Sequence, residues 1–349
     1  CADYTATYKQ ANGTDPTKIP GYKIFKRWEW FMAPRVSATG ERFAPDAAWN
    51  AIAEYKKGYN TFAAGNWTQL GPTSVSGLAG AGRLNFIRRH PIIATTLYVG
   101  SPSGGLWIST NDGGSWTSNT DKLNSVIGCT DVAFDPGNPS IMYMATGDGD
   151  AGDNYSVGLL KSTDGAATWN TTGLTMSPGN YRMLSKVLVD PSNGNNILVA
   201  TSGGIYRSTD AGVTFTQVQT GSFKDMEFQP GTPATIYACG TSFYKSTNSG
   251  ATWTQITSGL PGATLLSRMA ICVTAADVNA VYLVAMKTTY DTYGVYKSTN
   301  SGTSFLTLST NSPNIGTQGW YDLCMAVNPS NANELMLGGQ TQFYRSTNG

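Results

Sequence analysis

The side chains best placed to do chemistry are six charges that recur just ahead of successive apolar segments: Arg83, Asp131, Arg182, Asp225, Arg268 and Asp322. Three guanidiniums could grip a carboxylate through paired N–H donors, and two carboxylates facing each other across a cleft could cleave a glycosidic bond. The regular change of sign also fits a plainer outcome, in which the charges neutralise one another around an axis, and that outcome is the one expected. A second cluster lies in GDGDAGDNY, where Asp148, Asp150 and Asp153 put three hard oxygen donors on a glycine-rich backbone. That donor set suits calcium, although the terminal glutamate of a helix-loop-helix calcium loop is missing; bracing of a blade edge is the expected role. Calcium is the only cofactor that the pattern suggests, and none is required. In GWYD, Trp320 and Tyr321 precede an apolar segment and could stack on a sugar ring.

Other chemistries are excluded early. There is one histidine, His90, at a turn, so a Ser-His-Asp triad or a histidine-based metal site is not expected. The five cysteines are scattered without metal-like spacing, and Cys239, Cys272 and Cys324 sit among apolar residues as buried free thiols would. A net charge of +1 with only 13% charged residues gives no field for nucleic acid or an anionic membrane. No run of apolar residues is long enough for a transmembrane helix.

The elements that must position these groups are written as a repeat. WISTNDGGSW, LKSTDGAATW, YRSTDAGVTF, YKSTNSGATW and YKSTNSGTSF recur along the chain, and YRSTNG begins a sixth copy. The serines that open the copies (Ser109, Ser162, Ser208, Ser246, Ser298, Ser346) are 53, 46, 38, 52 and 48 residues apart. Between copies lies an apolar strand, a polar turn and a second apolar strand, as in VAFDPGNPSIMYMATG. Four short strands per unit is the period of a propeller blade, whose small sheet cannot bury both faces alone. The fold class is therefore an all-β propeller, with seven or more blades plausible for a complete ring.

The repeated phrase resembles the Asp-box, or BNR, repeat of sialidases, sortilin ectodomains and xyloglucanase-like propellers. Ser109, Asn111, Gly113 and Trp116 match it in the first copy, and Ser208, Asp210, Gly212 and Phe215 in the third. Ser246, Asn248, Gly250 and Trp253 match in the fourth, and Ser298, Asn300, Gly302 and Phe305 in the fifth. In the second copy Ser162, Asp164 and Trp169 match, but Ala166 replaces the glycine. The acidic or amide side chain can bond its own turn, glycine permits positive φ, and the aromatic anchors the hairpin. The resemblance implies that these boxes are structural and lie away from any catalytic centre.

Phrases outside the repeat, among them YKIFKRWEWFMAPRV, GAGRLNFI and GWYDLCMAVNP, resemble secreted sortilin-like propeller proteins of Bacteroidetes that carry a type IX secretion sorting domain. The resemblance implies secretion or display at the cell surface, contact with secretion machinery through a sorting domain not found in these residues, and a glycan or surface protein as partner. The first residue, Cys1, is where a lipid-anchored bacterial protein begins once its leader is removed, so a lipid anchor there is one reading and a chain edge the other.

Residues 1–65 are expected to form a lead-in with one helix over 46–57, and residues 66–349 an incomplete propeller. Trp67, in NWTQL, resembles the strand TWTQI that follows the fourth box, and is expected to open an outer strand donated to the last blade. The basic and aromatic stretch from Lys23 to Trp30 is read as a packing segment. The expected function is a non-catalytic interaction or adhesion scaffold, with an extracellular glycoside hydrolase, xyloglucanase-like or sialidase-like, as the alternative.

Overall fold

A computed structural model describes residues 22–37, 39–44, 46–57, 83–123, 128–340 and 342–349. Cys1 and Trp67 lie outside the described residues. From Phe86 onward the chain forms six antiparallel sheets in succession, five of four strands and a sixth of three, Cys324–Asn328, Asn331–Gly338 and Phe343–Ser346. Each sheet is a blade whose strands pair in chain order from the inside outward. The innermost strands, Phe86–Arg89, Cys129–Phe134, Leu184–Asp190, Asp225–Gln229, Leu266–Thr274 and Cys324–Asn328, touch in sequence around a central channel. The propeller expected from the repeat is thus present.

The core is divided among the junctions between neighbouring blades. Blades 2 and 3 meet through Tyr143, Leu159, Val187 and Ile197, and blades 4 and 5 through Tyr237, Phe243, Met269 and Leu283. The box aromatics explain how this happens: Trp169, Phe215, Trp253 and Phe305 each pack into the junction with the preceding blade. A residue at the outer hairpin of one blade therefore seals the seam to the one before it, so stacking needs no separate linker.

The box itself is a closed set of short bonds. In the third copy, Gly212 N–H donates to Ser208 Oγ at 2.9 Å, Ser208 Oγ–H donates to Asp210, and Thr214 N–H returns to Asp210 Oδ1 at 2.9 Å. Gly212 has φ +86°, in the left-handed region, and Ala166 stands at φ +72° in the copy that lacks the glycine. Copies with Asp and Asn differ only in proton direction: Thr214 Oγ1–H donates to Asp210, whereas Asn248 Nδ2 donates to Thr252 Oγ1.

These bonds hold the Asp164 and Asp210 carboxyls down, to about 2, chiefly through the hydroxyls of Thr168 and Thr214. A carboxylate whose folded value is depressed contributes stability above its unfolded value, near 4, and loses it as pH falls toward 2. Because asparagine keeps the turn in three other copies, the double variant D164N/D210N should be less acid-sensitive than wild type. Urea midpoints at pH 6 and pH 2.5 check this; an equal drop in both proteins contradicts it.

Among the described residues two α-helices precede the propeller. The expected helix is present as α2 (Ala47–Lys57), and a second, α1 (Tyr22–Met32), occupies the basic and aromatic stretch, which is more regular than a packing segment need be. Its surface exposes Ile24, Trp28, Trp30 and Phe31. Among the described residues no helix is long and apolar enough to cross a membrane. Cys129, Cys239 and Cys272 are buried free thiols, but Cys324 is exposed, because it lies on the face of blade 6 away from blade 5, on the wall of a cavity it shares with Gly338 and Phe343.

Candidate functional site at the channel mouth

Charges line the channel in two tiers. The inner tier spans a cavity of about 210 Å³. There Arg88 pairs with Asp131 at 2.7 Å, and Lys186 pairs with Asp225 at 3.2 Å and Glu227 at 2.9 Å. Each aspartate also accepts a backbone N–H from the next blade: Asp131 from Val187 at 3.1 Å and Asp225 from Ile271 at 2.9 Å. Burial works against the Lys186 charge, but Glu227 and Asp225 outweigh it and raise the ammonium pKa above its ordinary value. This tier is paired, by cations outside the alternating set, and it acts as a set of staples between blades.

The outer tier is built around the loop between the second and third strands of blade 2. Asp148, Asp150 and Asp153 do come together, but around a guanidinium: Arg83 reaches Asp148 at 2.5 Å, Asp150 at 3.6 Å and Asp153 at 3.8 Å. Arg268 adds a pair to Asp150 at 2.8 Å. Among the described residues no group of three or more His, Cys, Asp and Glu side chains is arranged for a metal ion. The arginine occupies the position that the acidic spacing had suggested for calcium.

Asp322 stands apart from these pairs. It lies with Arg83, Asp150, Tyr321, Gln340, Gln342 and Phe343 on the wall of a cavity of about 600 Å³ between blade 6 and the segment ahead of blade 1. Burial, with Asp150, raises its carboxyl pKa above the ordinary value, against the pull of Arg83 and Arg268. Tyr321 lies under the Arg83 guanidinium, 4.4 Å from Cζ to ring centroid, and Trp320 lies 5.1 Å from Tyr321 and 6.2 Å from Tyr290. Arg268 Nη1 donates to the Trp320 carbonyl at 3.2 Å, tying this aromatic wall to blade 5.

The six charges of the sequence pattern therefore divide. Arg83 and Asp322 line the mouth, Arg268 reaches it through Asp150, and Asp131 and Asp225 lie deeper in the inner tier. Arg182 belongs to neither: its side chain turns back to donate to the Ser202 carbonyl at 3.4 Å. It sits ahead of its strand, on the extended link after Tyr181, instead of on the inner strand itself. Arg88, Lys186, Lys224 and Glu227 are channel groups that spacing alone did not single out. They fall within or beside apolar strands, where alternate residues point into the channel, and that period could have revealed them. His90 takes the turn role expected, accepting the Ile92 and Ile93 N–H groups on Nδ1 at 3.1 and 2.9 Å.

The described residues thus form a propeller with a paired inner channel and an aromatic, carboxylate-bearing mouth. No family model matches the chain. A xyloglucanase of Hypocrea jecorina is 32% identical over 151 residues, covering 40% of this chain and 18% of that protein. One of a Paenibacillus species is 37% identical over 99 residues, covering 26% of this chain and 10% of that protein. Among solved structures, an ancestral GH74 enzyme superposes with TM-score 0.59 at 20% identity, over 76% of this chain and 36% of that one. The Niastella koreensis GH74 enzyme gives TM-score 0.58 at 21% identity, over 78% and 45%. At these identities the structural likeness shows the propeller fold. The chain spans less than a fifth of the curated relatives it matches. The expectation of a non-catalytic adhesion scaffold is corrected by these findings, since the matched relatives are named as hydrolases and favour the alternative reading.

Proposed function

We propose that this chain is the propeller of an extracellular glycoside hydrolase acting on a β-glucan of the xyloglucan type, with Asp322 as the general acid. The observation that carries this reading is a carboxyl raised by burial on the wall of a cavity of about 600 Å³ beside Tyr321. A group that must hold its proton until the leaving oxygen takes it needs such a shift. The aromatic rings offer flat apolar faces to a sugar, and Gln340 and Gln342 offer donors and acceptors to its hydroxyls. Asp150 is the other carboxylate on this wall, but its two arginine partners engage it. The second carboxylate of the mechanism is to be sought on a part of the protein facing this mouth. A polymeric substrate that cannot enter a cell makes the site extracellular.

The test is release of reducing ends from xyloglucan, mixed-linkage β-glucan and a sialoglycan by the secreted protein. Cleavage of xyloglucan alone or best supports the proposal. No cleavage of either β-glucan, or release of sialic acid, overturns it.

A further inference from the structure

We propose that Asp150 is a positioning residue for Asp322: the loop from Gly147 to Ser156 carries it over the channel mouth, where it bridges Arg83 and Arg268, the two guanidiniums that hold the Trp320–Tyr321 segment just ahead of that carboxyl. This inference rests on the reading of Asp322 as the acid of the site.

The loop belongs to blade 2 but is fastened to its neighbours. Asn154 Nδ2 donates to the Pro102 carbonyl and to Ser103 Oγ of blade 1, both at 2.7 Å. Ser156 N–H donates to the Arg182 carbonyl ahead of blade 3 at 2.9 Å. Lys224, ahead of blade 4, donates to the carbonyls of Gly149 and Asp150. Arg268 of blade 5 completes the set through Asp150. Within the loop, the fully buried Asp148 accepts the N–H groups of Asp150 and Asp153, each at 3.2 Å. Asp150 is thus fixed in place by backbone bonds on both sides, and its carboxylate is only 21% exposed.

The consequence falls on Asp322. Arg83 from the segment before blade 1 and Asp150 from the blade 2 loop share its cavity wall with Tyr321, its chain neighbour, and Arg268 from blade 5 acts on it from beyond that wall. Lys224, Asp148 and Asp153 form the next ring of charge, through Asp150 and Arg83. Two cations near a general acid would ionise it too early. Asp150 offsets them by a like charge at the same position, and also holds Arg83 over the Tyr321 ring.

The variants D150N and R268M test this with opposite signs. In protein labelled at aspartate carboxyl carbons, followed by NMR titration, D150N should lower the Asp322 midpoint by about half to one pH unit, and R268M should raise it by a similar amount. D150E should restore the wild-type midpoint. In hydrolysis, D150N should move the basic limb of the kcat profile to lower pH while KM changes less than twofold. Shifts of the same sign in both variants, or a midpoint unmoved by D150N, overturn the proposal, because a general loosening of the loop cannot produce opposite shifts. Failure of the hydrolase reading shows separately, as xyloglucan left uncleaved while the titration shifts persist.

Discussion

Replacing Asp322 with asparagine should lower kcat on xyloglucan at least a hundredfold while leaving KM within a few-fold. Proton donation by a placed side chain contributes about 10²- to 10⁴-fold, and the amide of similar shape cannot supply the proton. The Asp322 backbone N–H donates to the Gln318 carbonyl, so the short turn ahead of the inner strand of blade 6 survives the change. The pH dependence follows from the sign of the shift. A general acid works in its protonated form, so kcat falls as pH rises through the Asp322 pKa, which burial has raised. In the asparagine variant that limb should vanish. An aryl glycoside with a good leaving group needs no proton and should be cleaved by the variant far less impaired than the polymer. Equal loss on both substrates would show that Asp322 serves binding or folding and not proton transfer. A variant with unchanged kcat on xyloglucan would remove Asp322 from the chemistry altogether.

Much of this architecture could be read directly from the chain, for a physical reason. A propeller blade is a local unit, so its strands, turns and box residues repeat at short separation, and the side chains that staple each hairpin lie within eight residues of one another. Ser208, Asp210, Gly212 and Thr214 do the work that their spacing implies. The channel was harder to read because its pairs join different blades. Lys186 meets Asp225 and Glu227 across about forty residues, and Arg83 meets Asp148 across sixty-five, so no local window shows them together. The partners of the acidic loop were hidden for the same reason. Its three carboxylates have the spacing of a cation site, and the cation they hold is a side chain contributed from the segment ahead of the neighbouring blade. Arg182 erred in the other direction, since its place ahead of a strand resembled that of Arg83 while its side chain folds back onto its own blade.

Lys186→Met should be the most destabilising single change in the channel, by about 2 to 3 kcal/mol, because it leaves two half-buried carboxylates without their counter-charge. Lys186 is 18% exposed and bonds both Asp225 and Glu227. The pair also lies on the seams between blades: Asp225 starts the inner strand of blade 4 and accepts Ile271 N–H from blade 5, while Lys186 belongs to blade 3. Burial already raises the Glu227 carboxyl, held in check by Lys186, so in the variant Glu227 should take up a proton nearer neutral pH. The loss should therefore be greatest at high pH and shrink as the medium is acidified. The triple variant K186M/D225N/E227Q should recover most of the stability, since removing every member of a buried charge set costs much less than removing one. Asparagine at 225 can still accept the Ile271 N–H. Urea unfolding of wild type, single and triple variants at pH 6 and pH 9 gives the comparison. A single variant within about 1 kcal/mol of wild type, or a triple variant no better than the single, would mean that the inner tier is solvated charge and that the apolar seams alone hold the ring together.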